Sequence, residues 1–228
     1  MTLLLWLLLL GPLIAAWLVQ KRLLATFTRY RAVANRVGLT GAELARILLD
    51  VHGLRDVKLE LAPGFLSDHY DGANRVLRLS EVVARERSVA ALGIAGHEVS
   101  HAYQDAEGSR SYRLRKKIAE PLGKLAPWSG FFFIGGFWLG IPLLMIVSIV
   151  YVAGLVLFAL VTLPVEIGAS HRALELLRAA RLADTQEIRG VRSVLAAAAW
   201  TYVVGLLNQV GLFLVLVVAA EMIHGVTT

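Results

Sequence analysis

Three long apolar blocks divide the chain and predict membrane-spanning helices. The first, LLLWLLLLGPLIAAWLV, covers residues 3–19 without a charged side chain, and the third covers residues 194–220. Each is long enough for one helical span, which needs about 17 to 25 apolar residues. The second block, residues 128–165, is too long for one untilted span and just long enough for two short ones that break near residues 140–142. Hydropathy alone leaves both readings open.

The polar stretch between the first two blocks predicts a small α+β unit. TGAELARILLDVHG predicts an amphipathic helix, because Thr40 and Glu43 fit a capping box and Gly53 a stop. DVKLEL and NRVLRLS alternate apolar and polar residues on either side of a turn-rich segment, and they predict two short paired strands. SVAALGIAGHEVSHAYQDAEG predicts a further helix, capped by Ser88 and ending near Gly108.

The composition agrees with a membrane protein. Hydrophobic residues make up 57% of the 228 positions, well above the share in soluble domains. The chain has no cysteine, so a metal must be held by His, Asp or Glu. The net charge of +6 would suit nucleic acid, but in so apolar a chain we assign the basic residues to loops that face the anionic inner leaflet.

The basic residues flanking the blocks predict an orientation. They follow the first block rather than precede it, which is the reverse of a secretory signal and predicts a retained anchor with its carboxyl end in the cytoplasm. They also flank the second block on both sides, which predicts that both its ends are cytoplasmic. These residues are Lys21, Arg22, Arg29 and Arg31 after the first block; Arg113, Arg115, Lys116 and Lys117 before the second; and Arg172, Arg178, Arg181, Arg189 and Arg192 after it.

A potential metal site lies in the second predicted helix of the polar stretch. His97 and His101 are four residues apart and therefore project from one face of that helix, with Glu98 on the adjoining edge. This is the His-Glu-x-x-His pattern of zinc hydrolases, in which the glutamate is the general base towards a zinc-bound water. We therefore predict one catalytic Zn²⁺. The alternative is a pair of core or interfacial histidines without a metal.

Glu166 is the candidate third ligand. It lies at the end of an apolar block, where an unpaired carboxylate would be costly. If it reaches a zinc held by His97 and His101, the chain between them must cross the membrane an even number of times. That requirement predicts a hairpin of two spans or a re-entrant pair in the second block. The alternative is an interfacial carboxylate at a helix start, favoured by the helix dipole.

Three segments, in this order, resemble the YugP-like membrane zinc metallopeptidases of bacteria: LSDHYDGANRVLRLS, AGHEVSHAYQDAEG and TLPVEIGASHRAL. The resemblance extends over nearly the whole chain. It implies an integral membrane protease of the gluzincin type, in which His97, His101 and Glu166 bind zinc and Glu98 is the catalytic base.

The sequence departs from this family pattern at three positions. We expect glycine where Ser100 stands, an acidic residue where Gly168 stands and arginine where His171 stands. None of the three is a proposed ligand. The change at Gly168 removes a carboxylate that could hydrogen-bond a metal ligand.

Further candidates surround the proposed ligands. Asp105 is four residues after His101 and Ser170 four residues after Glu166, so each is a candidate to orient a metal ligand, although Asp105 also suits an ordinary helix surface. The strand in RVLRLS could bind an extended substrate by adding a strand to the sheet. The candidate donors to an oxyanion are His69, which equally suits a turn, and Tyr70, His171 and Arg172.

We therefore predict a mainly α integral membrane protein with about four transmembrane helices and a zincin-like α+β catalytic domain that carries a small β-sheet. The predicted parts are a transmembrane anchor at residues 1–20, a cytoplasm-facing metallopeptidase part at 21–127, a transmembrane hairpin at 128–165, a third-ligand helix at 166–193 and a transmembrane helix with its tail at 194–228.

Together with the resemblance, these features predict a multi-pass, zinc-dependent endopeptidase of the bacterial inner membrane, with its site facing the cytoplasm. Its partners would be a polypeptide substrate, which is a membrane or membrane-proximal protein, and the lipid bilayer, but not nucleic acid. The alternative is a catalytically silent zinc-binding membrane scaffold or adaptor, which the departures at Gly168 and His171 favour. A transporter is disfavoured because the predicted spans contain few charged residues.

Overall fold

The computed structural model describes the backbone of residues 2–227 and the side chains of residues 5–222. In chain order, its elements are α1 (Thr2–Arg31), α2 (Gly41–Val51), β1 (Lys58–Ala62), β2 (His69–Asp71), β3 (Val76–Ser80), α3 (Glu81–Arg85), α4 (Val89–Ala106), α5 (Arg110–Leu125), α6 (Ser129–Leu139), α7 (Pro142–Ala179) and α8 (Thr185–Thr227). A 3-10 turn at Ala126–Trp128 joins α5 to α6. The prediction of a mainly helical protein with a small sheet is confirmed.

Three helices within the described residues are long and apolar enough to cross a membrane. They are Leu5–Arg31 in α1, Pro142–Ala179 in α7 and Thr185–Met222 in α8. Helix α6 has 11 residues, about half the length that a membrane span requires. The sequence predicted about four spans, and α6 alone does not supply the fourth.

The chain folds as two compact units. The first comprises residues 1–19, 113–164 and 201–228, and the second comprises residues 20–112 and 165–200. All the residues that the sequence singled out for catalysis or metal binding belong to the second unit.

In the first unit the chain reverses direction between α6 and α7. Gly140 has a φ of 65°, a left-handed conformation that glycine adopts without strain, and it lies at the predicted break. The Ser148 hydroxyl of α7 donates a hydrogen bond of 2.9 Å to the Ser129 carbonyl of α6. Further along, a Cβ on Gly154 would lie 3.0 Å from the Leu122 side chain of α5. The arm from α5 to α6 therefore runs antiparallel to α7.

The second unit contains a sheet with the strand order β1-β3-β2. The two predicted strands pair as expected; they are parallel to each other, and β2 adds to β3 in the antiparallel direction. The sequence missed β2, which lies inside the segment read as turn-rich. The suggestion that β3 takes up substrate as an added strand is wrong, because both edges of β3 are already paired. The free edges of the sheet belong to β1 and β2.

Helix α4 lies at the centre of the second unit and begins at the predicted cap, where the Ser88 hydroxyl accepts a hydrogen bond from the Ala91 N–H. Two glycines let other helices approach it closely. A Cβ on Gly93 would lie 3.0 Å from Val191 of α8, and one on Gly96 would lie 3.6 Å from Ala173 of α7. The predicted capping box of α2, between Thr40 and Glu43, is also present. Helix α4 is thus held against the part of α7 that carries Glu166.

Candidate metal centre

Helix α4 presents His97 and His101 side by side. The two imidazole rings have centroids 4.7 Å apart and are nearly perpendicular to each other. His101 is only 6% exposed, whereas His97 is partly accessible. Residues four apart on a helix lie one above the other, so the regular geometry of α4 is sufficient to bring the rings together.

Helix α7 brings Glu166 to the same point. This carboxylate is 1% exposed. Its Oε2 atom lies 3.2 Å from His97 Nε2 and 3.5 Å from His101 Nε2. The structure therefore brings together all three residues that the sequence singled out as metal ligands.

The three donor atoms have a spacing that suits a metal ion. They all lie within 4.8 Å of one another. Zinc bonds of about 2.0–2.1 Å in a tetrahedral arrangement put two ligand atoms about 3.3 Å apart, close to both distances from Glu166. Two imidazoles and one carboxylate are also a donor set of catalytic zinc sites, which have three protein ligands and one further position for water or substrate. The residues fit a zinc ion.

The charges around His101 favour a positive partner. Burial lowers the pKa of His101, but hydrogen bonding to Glu166 and the negative charge of Glu98 outweigh burial, so the pKa is raised above its ordinary value. Two carboxylates next to one buried imidazole attract either a proton or a metal cation. The electrostatics of the pocket therefore favour metal binding as well.

The remaining ring nitrogens of the two histidines have partners of their own. His97 Nδ1 is 3.2 Å from the Ser170 hydroxyl, and His101 Nδ1 is 2.9 Å from Gln104 Oε1. Contacts of this kind fix the orientation of a ligating imidazole and the nitrogen that faces the metal. Ser170 thus lies where a residue that orients a ligand is expected, but next to His97 rather than Glu166.

Glu98 is 8% exposed and follows His97 directly on α4. A second carboxylate, Asp68, lies near enough for its charge to interact with Glu98. Burial raises the pKa of Asp68, although hydrogen bonds from Ser80 act in the opposite direction. Asp68 Oδ1 accepts a hydrogen bond of 2.7 Å from the Ser80 N–H, which ties the start of β2 to the end of β3.

Tyr70, on the edge strand β2, reaches the outer end of α4. Its hydroxyl donates a hydrogen bond of 3.2 Å to Asp105 Oδ2. Burial, together with the charge of Asp105, raises the pKa of Tyr70 to about 12. Asp105 therefore interacts with Tyr70, while Gln104 contacts His101 Nδ1.

The remaining predicted candidates are His69, His171 and Arg172. The exposed His69 is the first residue of β2, and its Nδ1 atom lies 2.8 Å from the Ser67 carbonyl. Arg172 donates a hydrogen bond of 2.6 Å to Glu107. His171 is exposed on α7.

Two residues near the site were not identified from the sequence. Gln104 is three positions after His101, which is a spacing that brings side chains together on a helix, and this was the available signal. Its second contact, with Val165, depends on how α4 packs against α7 and has no local signal. Asp68 has no sequence signal for a role at the site either, because it looks like an ordinary residue of a polar turn.

Comparisons with known proteins agree with this geometry. A model of the family described as "Putative neutral zinc metallopeptidase" matches residues 5–221. The chain is also 41% identical over 184 residues to "Putative membrane protease YugP" of Bacillus subtilis (strain 168), which covers 81% of this chain and 82% of the relative. No solved structure matches the chain. The chain therefore belongs to the YugP-like family of neutral zinc metallopeptidases, as the resemblance of its three segments indicated.

Proposed function

We propose that the protein is a membrane-bound, zinc-dependent endopeptidase. The observation that carries this proposal is the convergence of His97 Nε2, His101 Nε2 and Glu166 Oε2 on one largely buried point between α4 and α7. These three residues hold one zinc ion. Family membership supports the same activity.

The proposed reaction is the hydrolysis of a peptide bond without a covalent enzyme intermediate. Zinc, when bound, supplies a Lewis acid that acidifies water and polarises a carbonyl oxygen. Glu98 is the general base that accepts a proton from the attacking water and then delivers it to the leaving amine. Glu98 is buried and follows His97 directly, and its negative charge acts on His101, so its carboxylate lies near the proposed ligands.

The proposed substrates are membrane or membrane-proximal polypeptides. Glu166 is the first charged residue after the apolar stretch of α7, so a site built around it lies near the membrane surface. The basic residues on both sides of the second apolar block support a cytoplasmic position for that site. The protein would then be a multi-pass protein of the bacterial inner membrane.

We further propose that residues 128–165 form a membrane hairpin. The antiparallel contacts of α6 with α7 and the reversal at Gly140 support it. Residues 142–165 extend for about 36 Å as a helix, which exceeds the roughly 30 Å of the hydrocarbon core. If α7 crosses fully, the arm containing α6 crosses in the opposite direction, so the chain returns through α7 to the side on which it began. With α1 and α8, this gives four crossings.

The metal content of the purified protein tests the zinc site. Elemental analysis of wild type in detergent should find about one zinc per chain. His101→Ala and Glu166→Ala should lose most of it, while Glu175→Gln, an exposed substitution on α7, should retain it. If Glu166→Ala keeps its zinc, Glu166 is not the third ligand. If wild type contains no zinc, the enzyme proposal fails.

Cleavage of labelled casein by the zinc-loaded protein separates an enzyme from a silent scaffold. Glu98→Gln should retain zinc and lose at least about 100-fold of the activity, because it cannot take the proton from water. A wild-type protein that binds zinc and cleaves neither casein nor itself would favour the scaffold.

A further inference from the structure

We propose that Gln104 is a positioning residue that fixes the orientation of His101 and joins α4 to α7 beside Glu166. The inference rests on the zinc site proposed above and adds a residue to it. In this proposal one side chain fixes the position of His101 on α4 relative to Glu166 on α7.

The two ends of the Gln104 amide contact different helices. The Nε2 group donates a hydrogen bond of 3.0 Å to the Val165 carbonyl of α7. The Oε1 atom is 2.9 Å from His101 Nδ1 on α4 itself. A carbonyl oxygen can only accept, so the bond to Val165 requires the NH₂ group on that side and directs Oε1 towards His101.

This orientation determines which nitrogen of His101 carries a hydrogen. Because Gln104 Oε1 accepts, His101 Nδ1 must be the donor. In the neutral imidazole the lone pair then resides on Nε2, which faces Glu166 Oε2 at 3.5 Å. Gln104 therefore presents to the metal the one nitrogen of His101 that can bind it.

The contact with Val165 acts on the other side of the same site. The Val165 carbonyl belongs to the peptide unit that links Val165 to Glu166, so Gln104 restrains the backbone at the third ligand. The neighbouring Gly168 leaves room for this amide: the nearest atom to a Cβ built there is Gln104 Nε2, at 3.4 Å. A larger side chain at this position would contact Gln104 first.

The zinc affinity of Gln104 variants tests the inference. It is measured by competition with a chromophoric chelator. Gln104→Met keeps the length of the side chain but removes both hydrogen bonds, and we expect zinc affinity to fall about 10- to 100-fold. Gln104→Glu keeps an acceptor for His101 Nδ1 but loses the donor to the Val165 carbonyl, so we expect a smaller loss than in Gln104→Met, below about tenfold. Gln186→Met, at an exposed position on α8, is the matched control and should bind as wild type does.

Cobalt substitution supplies a readout that does not depend on activity. The visible absorption of bound Co²⁺ reports ligand geometry, so Gln104→Met should change the spectrum whereas Gln104→Glu and Gln186→Met should not. Zinc binding and a cobalt spectrum unchanged in Gln104→Met would overturn the inference. An equal loss in Gln104→Met and Gln104→Glu would overturn the proposed orientation of His101 by Gln104, since only the hydrogen bond to the Val165 carbonyl is missing from both variants. In both cases wild type still binds zinc, whereas failure of the proposed function would appear as wild type without zinc.

Discussion

Glu166 Oε2 lies 3.2 Å from His97 Nε2, although the two residues are 69 positions apart in the chain. A buried carboxylate is costly unless a cation or hydrogen-bond donors compensate for its lost hydration. Here the partners are two imidazoles that belong to another helix. The pair therefore links the packing of α4 against α7 directly to the ability of the pocket to hold a cation.

Substitutions of Glu166 should separate the charge of the carboxylate from its reach. Glu166→Gln keeps the length but offers a neutral amide, and we expect zinc affinity to fall by at least about 100-fold. Glu166→Asp keeps the charge and withdraws it by one methylene, so we expect a smaller loss of about tenfold. Chelator competition measures both, with Glu175→Gln as the control. Equal affinity in wild type and Glu166→Gln would contradict a ligand role.

Tyr70 is expected to take part in turnover and not in metal binding. Its pKa is raised to about 12, so the hydroxyl keeps its hydrogen at neutral pH, and to donate to an oxyanion this hydrogen must turn away from Asp105. Removing one donor to an oxyanion typically costs about 100- to 1,000-fold in kcat. We therefore expect Tyr70→Phe to lower kcat with little change in KM or zinc content. Steady-state kinetics with a quenched peptide would check this, and an unchanged kcat would exclude Tyr70 as the donor.

Asp71 should make the stability of the fold depend on pH below about pH 4. Hydrogen bonds from Asn74 and Arg78 hold its pKa below the ordinary value. The carboxylate therefore stabilises the fold above its unfolded pKa of about 4, and this stabilisation is lost as the pH falls further. Asp71→Asn should cost about 1 kcal/mol at pH 7 and less near pH 3. Thermal unfolding of both proteins at the two pH values measures the difference; equal differences would contradict the assignment.

Local patterns were sufficient to predict α4 and the two histidines that lie side by side on it. A capping serine, an alanine-rich stretch and two histidines four apart specify a helix with two imidazoles on one face without reference to the rest of the chain. Glu166 required one more argument, the cost of a carboxylate at the end of an apolar block. That cost depends only on the neighbouring residues in the sequence, so Glu166 could be predicted without the fold.

The remaining features depend on tertiary contacts. Strand β2 has three residues, too few for an alternating pattern to be recognised, and it forms because β3 offers an edge. Gln104 contacts both His101 Nδ1 and the Val165 carbonyl, and the second contact exists only because α4 packs against α7. Asp68 approaches Glu98 only once the turn before β2 is folded onto Ser80.

Single cysteines should determine whether residues 128–165 cross the membrane as a hairpin. The chain has no cysteine, so each introduced thiol is the only one present. Ile141→Cys lies next to the reversal at Gly140 and Lys117→Cys lies on α5; both positions are exposed. If α7 crosses fully, a membrane-impermeant maleimide added to intact spheroplasts should label Ile141→Cys. It should label Lys117→Cys only after the membrane is opened.

The opposite labelling pattern would have a direct meaning for the site. If Ile141→Cys resists the impermeant reagent but reacts with a permeant maleimide, the tip of the hairpin does not reach the outer surface, and residues 128–165 form a re-entrant pair. His97 and Glu166 would still lie on one side, because a re-entrant pair also returns the chain to its starting side. Only labelling of Lys117→Cys from outside would contradict the cytoplasmic site, since α5 directly follows the helix that carries His97 and His101.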